Sequence, residues 1–121
     1  MGVSTDAILV YGIAIHEDCT DKFDYEDDEN VEPSALYAVR CNPGDICVET
    51  HCADTYPMYI VGLTRTSTTA WRGYPKVIPG LPEISDEENA KLRSFCAEHG
   101  LESDCEINGG EPGWLLVSWW G

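Results

Sequence analysis

The sequence predicts an α+β domain, in which an antiparallel or mixed sheet of about five strands carries one well-defined helix packed on it. Short apolar segments rich in β-branched and aromatic residues recur from Asp6 to the C-terminal tryptophans. A single capped, amphipathic segment begins at Ser85. The chain has 121 residues, 43% of them hydrophobic, which is enough for one domain over residues 1–121 with a core of its own.

The first strand is predicted at residues 6–15, with the sequence DAILVYGIAI. This run is apolar, bounded by polar residues and too short for a buried helix to be favoured. Gly12 in its middle predicts a bulge or a close approach of another backbone.

The next stretch, residues 17–32, contains nine carboxylates and one lysine, a net charge of −8. Repulsion among these charges predicts a solvated loop. Pro33 then suits the first position of a helix, and the following SALYAVR predicts about two helical turns before Asn42-Pro43-Gly44. We select these five carboxylates as candidate binding residues: Asp24, Glu26, Asp27, Asp28 and Glu29.

Residues 46–52 alternate in the manner of a strand with one covered face. Residues 55–78 follow, and we interpret them as a β-hairpin whose first strand, YPMYIVGL, is apolar on both faces and therefore lies inside the sheet. Its second, Thr-rich strand is closed by Arg72-Gly73-Tyr74-Pro75.

The helix is predicted from Ser85, because Ser85 and Glu88 form a capping-box pattern. Leu92, Phe95, Cys96 and His99 then fall on one stripe that can lie on a sheet, and Gly100 is suited to end the helix. The chain closes with WLLVSWW, a last strand that holds three of the four tryptophans.

Charge is the most unusual feature of the sequence, with 22 acidic residues against 7 basic ones and a net charge of −15. Such a charge disfavours direct binding to nucleic acid or to an anionic membrane and favours a basic protein as partner. Residues 55–82 contain no acid and carry +3. Trp71 and Tyr74 in that stretch are candidate aromatic anchors. The simpler alternative is that acidic loops only keep a Trp-rich domain soluble.

Metal and cofactor sites are not predicted. The central cysteines have C-x₅-C and C-x₄-C spacings without a second matching pair, which does not fit structural zinc. The acidic run has no glycine for the turn of an EF-hand. Nucleotide-binding and nucleophile-elbow motifs are absent from the sequence. A small hydrolase, a thiol-dependent enzyme and a structural or assembly component remain alternative functions.

Three segments carry a resemblance: the opening VSTDAILVYGIA, the central YPMYIV with RGYP, and the closing WLLVSWWG. In these segments the chain resembles small uncharacterised proteins encoded by bacteriophages, which bring no activity or catalytic residue to transfer. The resemblance implies expression in the cytoplasm of an infected bacterium. The start has no basic segment ahead of its short apolar run, which also favours the cytoplasm. We therefore expect a phage accessory protein that binds, and inhibits, a basic host protein by imitating nucleic acid.

Overall fold

The computed structural model describes residues 5–23, 39–40, 42–53 and 55–120. Within these residues the protein has five strands, one α-helix and three short 3₁₀ turns. The strands are β1 (Thr5–Ala14), β2 (Ile46–Ala53), β3 (Pro57–Leu63), β4 (Thr68–Ala70) and β5 (Gly113–Trp120), and the helix is α1 (Asp86–Glu98). The 3₁₀ turns are Glu17–Phe23, Thr64–Thr66 and Asn108–Gly110.

The strands form one mixed sheet that is organised around β1. Strand β5 pairs antiparallel with β1 over residues 5–12, while β4 and β3 pair antiparallel with its other edge at residues 7–9 and 12–14. Strand β3 also pairs antiparallel with β2, and β2 pairs parallel with β5 at Cys52 and Ala53. These pairings close the sheet on itself, and they confirm the predicted α+β class with a five-stranded sheet.

The predicted hairpin at residues 55–78 is wrong. Strand β3 forms its hairpin with β2, and β4 pairs with β1. The turn Thr64–Thr66 does not reverse the chain but lets β3 and β4 follow the same edge of β1. The Thr66 hydroxyl stabilises this turn, because it accepts from the Tyr11 amide at 3.0 Å and donates to the Leu63 carbonyl at 2.7 Å.

Apolar side chains are buried on both faces of the sheet. Val10, Ile60 and Cys47 lie on the enclosed face, where they surround Gly12 and Gly62. The other face carries a larger cluster, covered by α1 and by the turn Glu17–Phe23. Its members are Ile13, Ile15, Cys19, Phe23, Ile46, Tyr59, Val61, Leu63, Leu92, Cys96 and Leu101. Residues 59–63 of β3 are buried throughout, as the apolar pattern on both faces of that strand predicts.

The helix and first strand agree with the sequence pattern. The Ser85 hydroxyl accepts from the Glu88 amide, and the Glu88 carboxylate accepts from the Ser85 amide, so the predicted capping box is confirmed. Leu92 and Cys96 are buried, and Gly100 ends the helix at a φ of 64°. Of the helix predicted after Pro33, only Val39 and Arg40 belong to the described residues, and both are helical.

Gly12 is required by a close approach of two strands. It pairs with Gly113 on one side and with Gly62 on the other. A Cβ atom at residue 12 would lie 2.3 Å from the Val61 carbonyl oxygen and 2.7 Å from the Gly62 Cα. The sheet therefore closes at a point where no side chain fits between the strands, as the sequence position of Gly12 predicts.

Candidate binding surfaces

Four carboxylates gather where β1 ends. The His16 amide donates to the Glu102 carbonyl, and the Asp104 amide donates to the Ala14 carbonyl, both at 2.8 Å. Glu17 and Asp18 follow His16 directly, so two segments far apart in sequence place their acids side by side. Three of the four are exposed and Asp104 is half-buried. We call Glu17, Asp18, Glu102 and Asp104 the acidic end.

A tyrosine and a histidine hold part of this surface. The Tyr56 hydroxyl donates to Glu17 Oε2 at 3.1 Å, and this bond raises the pKa of Tyr56. His16 Nδ1 accepts from the Asp18 amide at 3.1 Å. The Tyr56 contact ties the 3₁₀ turn to a residue 39 positions away, whereas the His16 contact is local to the start of the turn.

Two described residues that flank residues 24–38, Phe23 and Arg40, are in contact with each other and with Tyr59. Phe23 is fully buried and stacks on Tyr59, with ring centroids 4.3 Å apart. The Arg40 guanidinium lies 5.3 Å from the Tyr59 ring centroid and donates from Nη1 to the Phe23 carbonyl at 3.0 Å. The Tyr59 carbonyl in turn accepts from the Ile15 amide. The described residues on the two sides of residues 24–38 therefore meet at one place in the fold.

The candidate residues Asp24, Glu26, Asp27, Asp28 and Glu29 lie outside the described residues. They are known only by their place in the sequence: Asp24 follows Phe23 directly, and Glu29 is six residues beyond Phe23.

Trp71 and Tyr74 lie on a different surface. Residues 71–82, which we call the strap, have no helix or strand and run beside β4 and the adjoining parts of β1 and β5. Trp71 is 66% exposed and Tyr74 is 75% exposed. With Ala7, Ala70 and other residues they line a groove of about 460 Å³.

The acidic end and the two candidate anchors lie towards opposite ends of β1. Trp71 and Tyr74 line a groove with Ala7, whereas the acidic end surrounds Ile15, eight residues further along. At about 3.3 Å per residue of strand, this separation is about 26 Å. The structure therefore does not bring the candidate anchors together with the carboxylates of the acidic end.

Glu102 and Asp104 are the residues that sequence reasoning did not assign to the site. They belong to a second acidic stretch, in which residues 83–106 carry eight acids and two bases. The signal for their position is the bridge between Ile15 and Ser103. That pairing joins residues 88 positions apart, so no local pattern reveals it.

Two of the described thiols, those of Cys47 and Cys96, do not have the properties of a nucleophile. Burial raises the pKa of Cys96 to about 11. Burial and the neighbouring Glu49 carboxylate raise the pKa of Cys47 to about 11 as well. Because the thiolate is the reactive form, both groups are inert near neutral pH. Cys105 is exposed, and Cys52 is half-buried.

The described histidines do not form a candidate catalytic site either. Burial lowers the pKa of His51, which keeps that ring neutral. Five surface grooves that the described residues outline have neither a histidine nor a cysteine in their lining. The groove beside the start of α1 is instead lined by two ion pairs. Arg65 pairs with Glu88 at 2.8 Å, and Lys91 pairs with Asp45 at 2.9 Å.

Neither a metal site nor a membrane-spanning helix is present in the part of the chain that the structure describes. There, no three residues among the histidines, cysteines and carboxylates are arranged as a metal site. No helix in the same residues combines the length and the apolar character needed to cross a bilayer.

The chain was compared with protein-family models, with curated proteins and with solved structures, and none of the three comparisons found a match. The candidate surfaces are therefore interpreted from their own geometry and charge.

Proposed function

We propose that this chain is a binding protein whose acidic end, together with residues 24–32, docks a basic surface of another protein and blocks it by imitating nucleic acid. The observation that carries the proposal is the contact between Phe23 and Arg40. It ties both ends of the most acidic stretch to the place where Glu17, Asp18, Glu102 and Asp104 already gather. We expect the charge of residues 24–32 to add to that of the acidic end.

Concentrated charge has two physical consequences for such a partner. Spaced carboxylates attract a cationic groove over several ångströms and so raise the association rate. They also offer acceptors for arginine side chains, which bind carboxylate and phosphate with the same forked geometry. An acidic surface can therefore occupy a groove that evolved for a phosphate backbone.

The partner that fits the sequence resemblance is a host protein. A phage-encoded chain is made in the cytoplasm of the infected bacterium, where many abundant basic proteins bind nucleic acid. The role we propose is that of an accessory protein, which acts by occupying such a binding groove and makes no covalent change to its target.

The proposal is tested by affinity capture from a bacterial lysate at low and at high salt, followed by quantitative mass spectrometry. The test variant carries Asp27→Asn, Asp28→Asn and Glu29→Gln. We expect the wild-type chain to retain basic, nucleic-acid-binding proteins in a salt-sensitive manner, and we expect the variant to retain much less of them.

A control variant removes the same number of charges elsewhere, by Glu83→Gln, Asp86→Asn and Glu87→Gln. These three acids are exposed at the start of α1. The control should capture as the wild type does, once circular dichroism shows both variants folded. Equal loss in both variants would reduce the effect to net charge, and unchanged capture by the test variant would remove the acidic run from the function.

A further inference from the structure

A continuous groove follows the strap on the face of β1 that carries Ala7 and Leu9, the same face that meets α1 at Tyr11. One section, of about 460 Å³, lies between Trp71, Tyr74 and the start of β1. It meets a section of about 110 Å³ at Ala7 and Ala70. That section shares Lys76 and Ile78 with a third one of about 300 Å³, which extends to the other end of the strap.

Large apolar side chains line this groove, and several of them are unusually exposed. Leu116 on β5 is 74% exposed, and Val77 on the strap is 86% exposed. Leu116 pairs with Leu9 across the sheet, and both line the middle section together with Ile78. Contiguous apolar surface of this kind marks an interaction site more often than a solvated face.

The charges around the groove are mainly positive. Arg72, Lys76 and Arg65 are among its lining residues, and Asp6 is the one carboxylate in the three sections as the structure describes them. Arg65 is held by Glu88. The strap carries no acid and β5 carries no charge at all. In a protein with a net charge of −15, this surface is a local region of opposite sign.

We infer that the groove is a docking site for an extended acidic segment of a partner protein, in which apolar side chains alternate with carboxylates. The apolar side chains would enter the section between Leu9, Ile78 and Leu116. The carboxylates would meet Arg72 and Lys76 at the rim. Charge complementarity selects this occupant, since the same rim repels a basic segment.

A second copy of the chain fits this surface less well. A symmetric dimer places the same patch against itself, so Arg72 and Lys76 of one copy would face those of the other. The site is also separate from the proposed function, because no residue of the acidic end is among the lining residues of the three sections as the structure describes them.

The test uses two dye-labelled, end-capped peptides of eight residues, one alternating leucine with glutamate and the other alternating leucine with glutamine. Binding to the full chain is followed by fluorescence anisotropy at physiological salt, where the net charge of the whole chain is largely screened. The control peptide carries glutamine rather than lysine, because a lysine peptide would bind the acidic end. We expect the glutamate peptide to bind and the glutamine peptide to bind at least about tenfold more weakly. The double variant Arg72→Glu with Lys76→Glu should weaken the glutamate peptide by at least about tenfold.

Two further variants control this result. Lys91→Glu with Arg93→Glu makes the same charge change on α1, outside the groove, and should leave binding within about twofold of wild type. Leu116→Gln changes an exposed side chain without a cavity, and should weaken the peptide because the apolar contact is lost. The variant Asp27→Asn, Asp28→Asn and Glu29→Gln should bind the peptide as the wild type does.

The inference is overturned if neither peptide binds, if the glutamine peptide binds as tightly as the glutamate peptide, or if the α1 control weakens binding as much as the groove variant does. Sedimentation of the wild-type chain provides the remaining outcome. Self-association that Leu116→Gln abolishes would show that the groove is covered by a second copy, which also contradicts the proposal.

Discussion

The Arg40 guanidinium donates to the Phe23 carbonyl oxygen at 3.0 Å, and so joins the two ends of a stretch of sixteen residues. The same guanidinium lies over the ring of Tyr59, on which Phe23 stacks. A charged hydrogen bond and a cation–π contact therefore act at one point of the core. The contact is where the segment between Phe23 and Arg40 is attached to the domain.

Replacing Arg40 by alanine should lower the free energy of unfolding by about 2 kcal/mol, since it removes a charged hydrogen bond and a ring contact together. Arg93→Ala is the matched control, because Arg93 forms an exposed ion pair with Glu111. Its loss should be about 0.5 kcal/mol. Urea denaturation measures both. Equal losses would show that the Phe23–Arg40 contact contributes no more than a surface pair.

Gly12→Ala should destabilise the fold by about 3 kcal/mol or more, because backbone atoms of β3 occupy the space that the new methyl group needs. Gly44→Ala is the control, since a Cβ there meets nothing within 4 Å. Thermal unfolding compares the two. A Gly12→Ala protein as stable as the Gly44→Ala protein would contradict the close approach of Gly12 and Gly62.

The Glu88 contacts predict a defined pH dependence. Arg65 beside Glu88, with the Ser85 amide, lowers the pKa of Glu88 from 4.5 to about 2. The folded state therefore favours the carboxylate, and its contribution to stability is present above about pH 4.5 and is lost as the pH falls to about 2. The stability difference between wild type and Glu88→Gln should shrink over that interval. A difference that stays constant down to pH 2 would be evidence against the pairing.

Alkylation should distinguish the thiols in the described part of the chain. At pH 8, iodoacetamide should modify the exposed Cys105 rapidly, while Cys47 and Cys96 should react only after unfolding in urea. Their raised pKa values, about 11 in both cases, and their burial act in the same direction. Peptide mass spectrometry gives the extent at each site. Fast labelling of Cys47 in the native protein would reopen the thiol-enzyme alternative.

The sequence predicted the parts of the fold that depend on local patterns. The Ser85 capping box, the stripe containing Leu92 and Cys96, and the fully apolar β3 are all signals within one element. The partner of β4 was not predictable in this way. It depends on the turn Thr64–Thr66 and on the Thr66 hydroxyl, which accepts a hydrogen bond from the Tyr11 amide 55 residues away.

The candidate surfaces show the same division. Composition revealed the acidic run and the acid-free stretch around Trp71 and Tyr74. It did not reveal that Glu102 joins the first group, nor that the two aromatic residues lie far from it. Those relations follow from the pairing of strands and bridges across the chain, and no local periodicity encodes them.

The most direct test of the proposed function is the salt dependence of the dissociation constant for a purified basic protein captured by this chain. For the wild type, affinity should fall steeply as salt rises, since several charges are neutralised together in the complex. The variant Asp27→Asn, Asp28→Asn and Glu29→Gln should bind more weakly and with a shallower salt dependence, while the variant at Glu83, Asp86 and Glu87 should follow the wild type. Equal affinities and equal slopes for all three proteins would contradict the account.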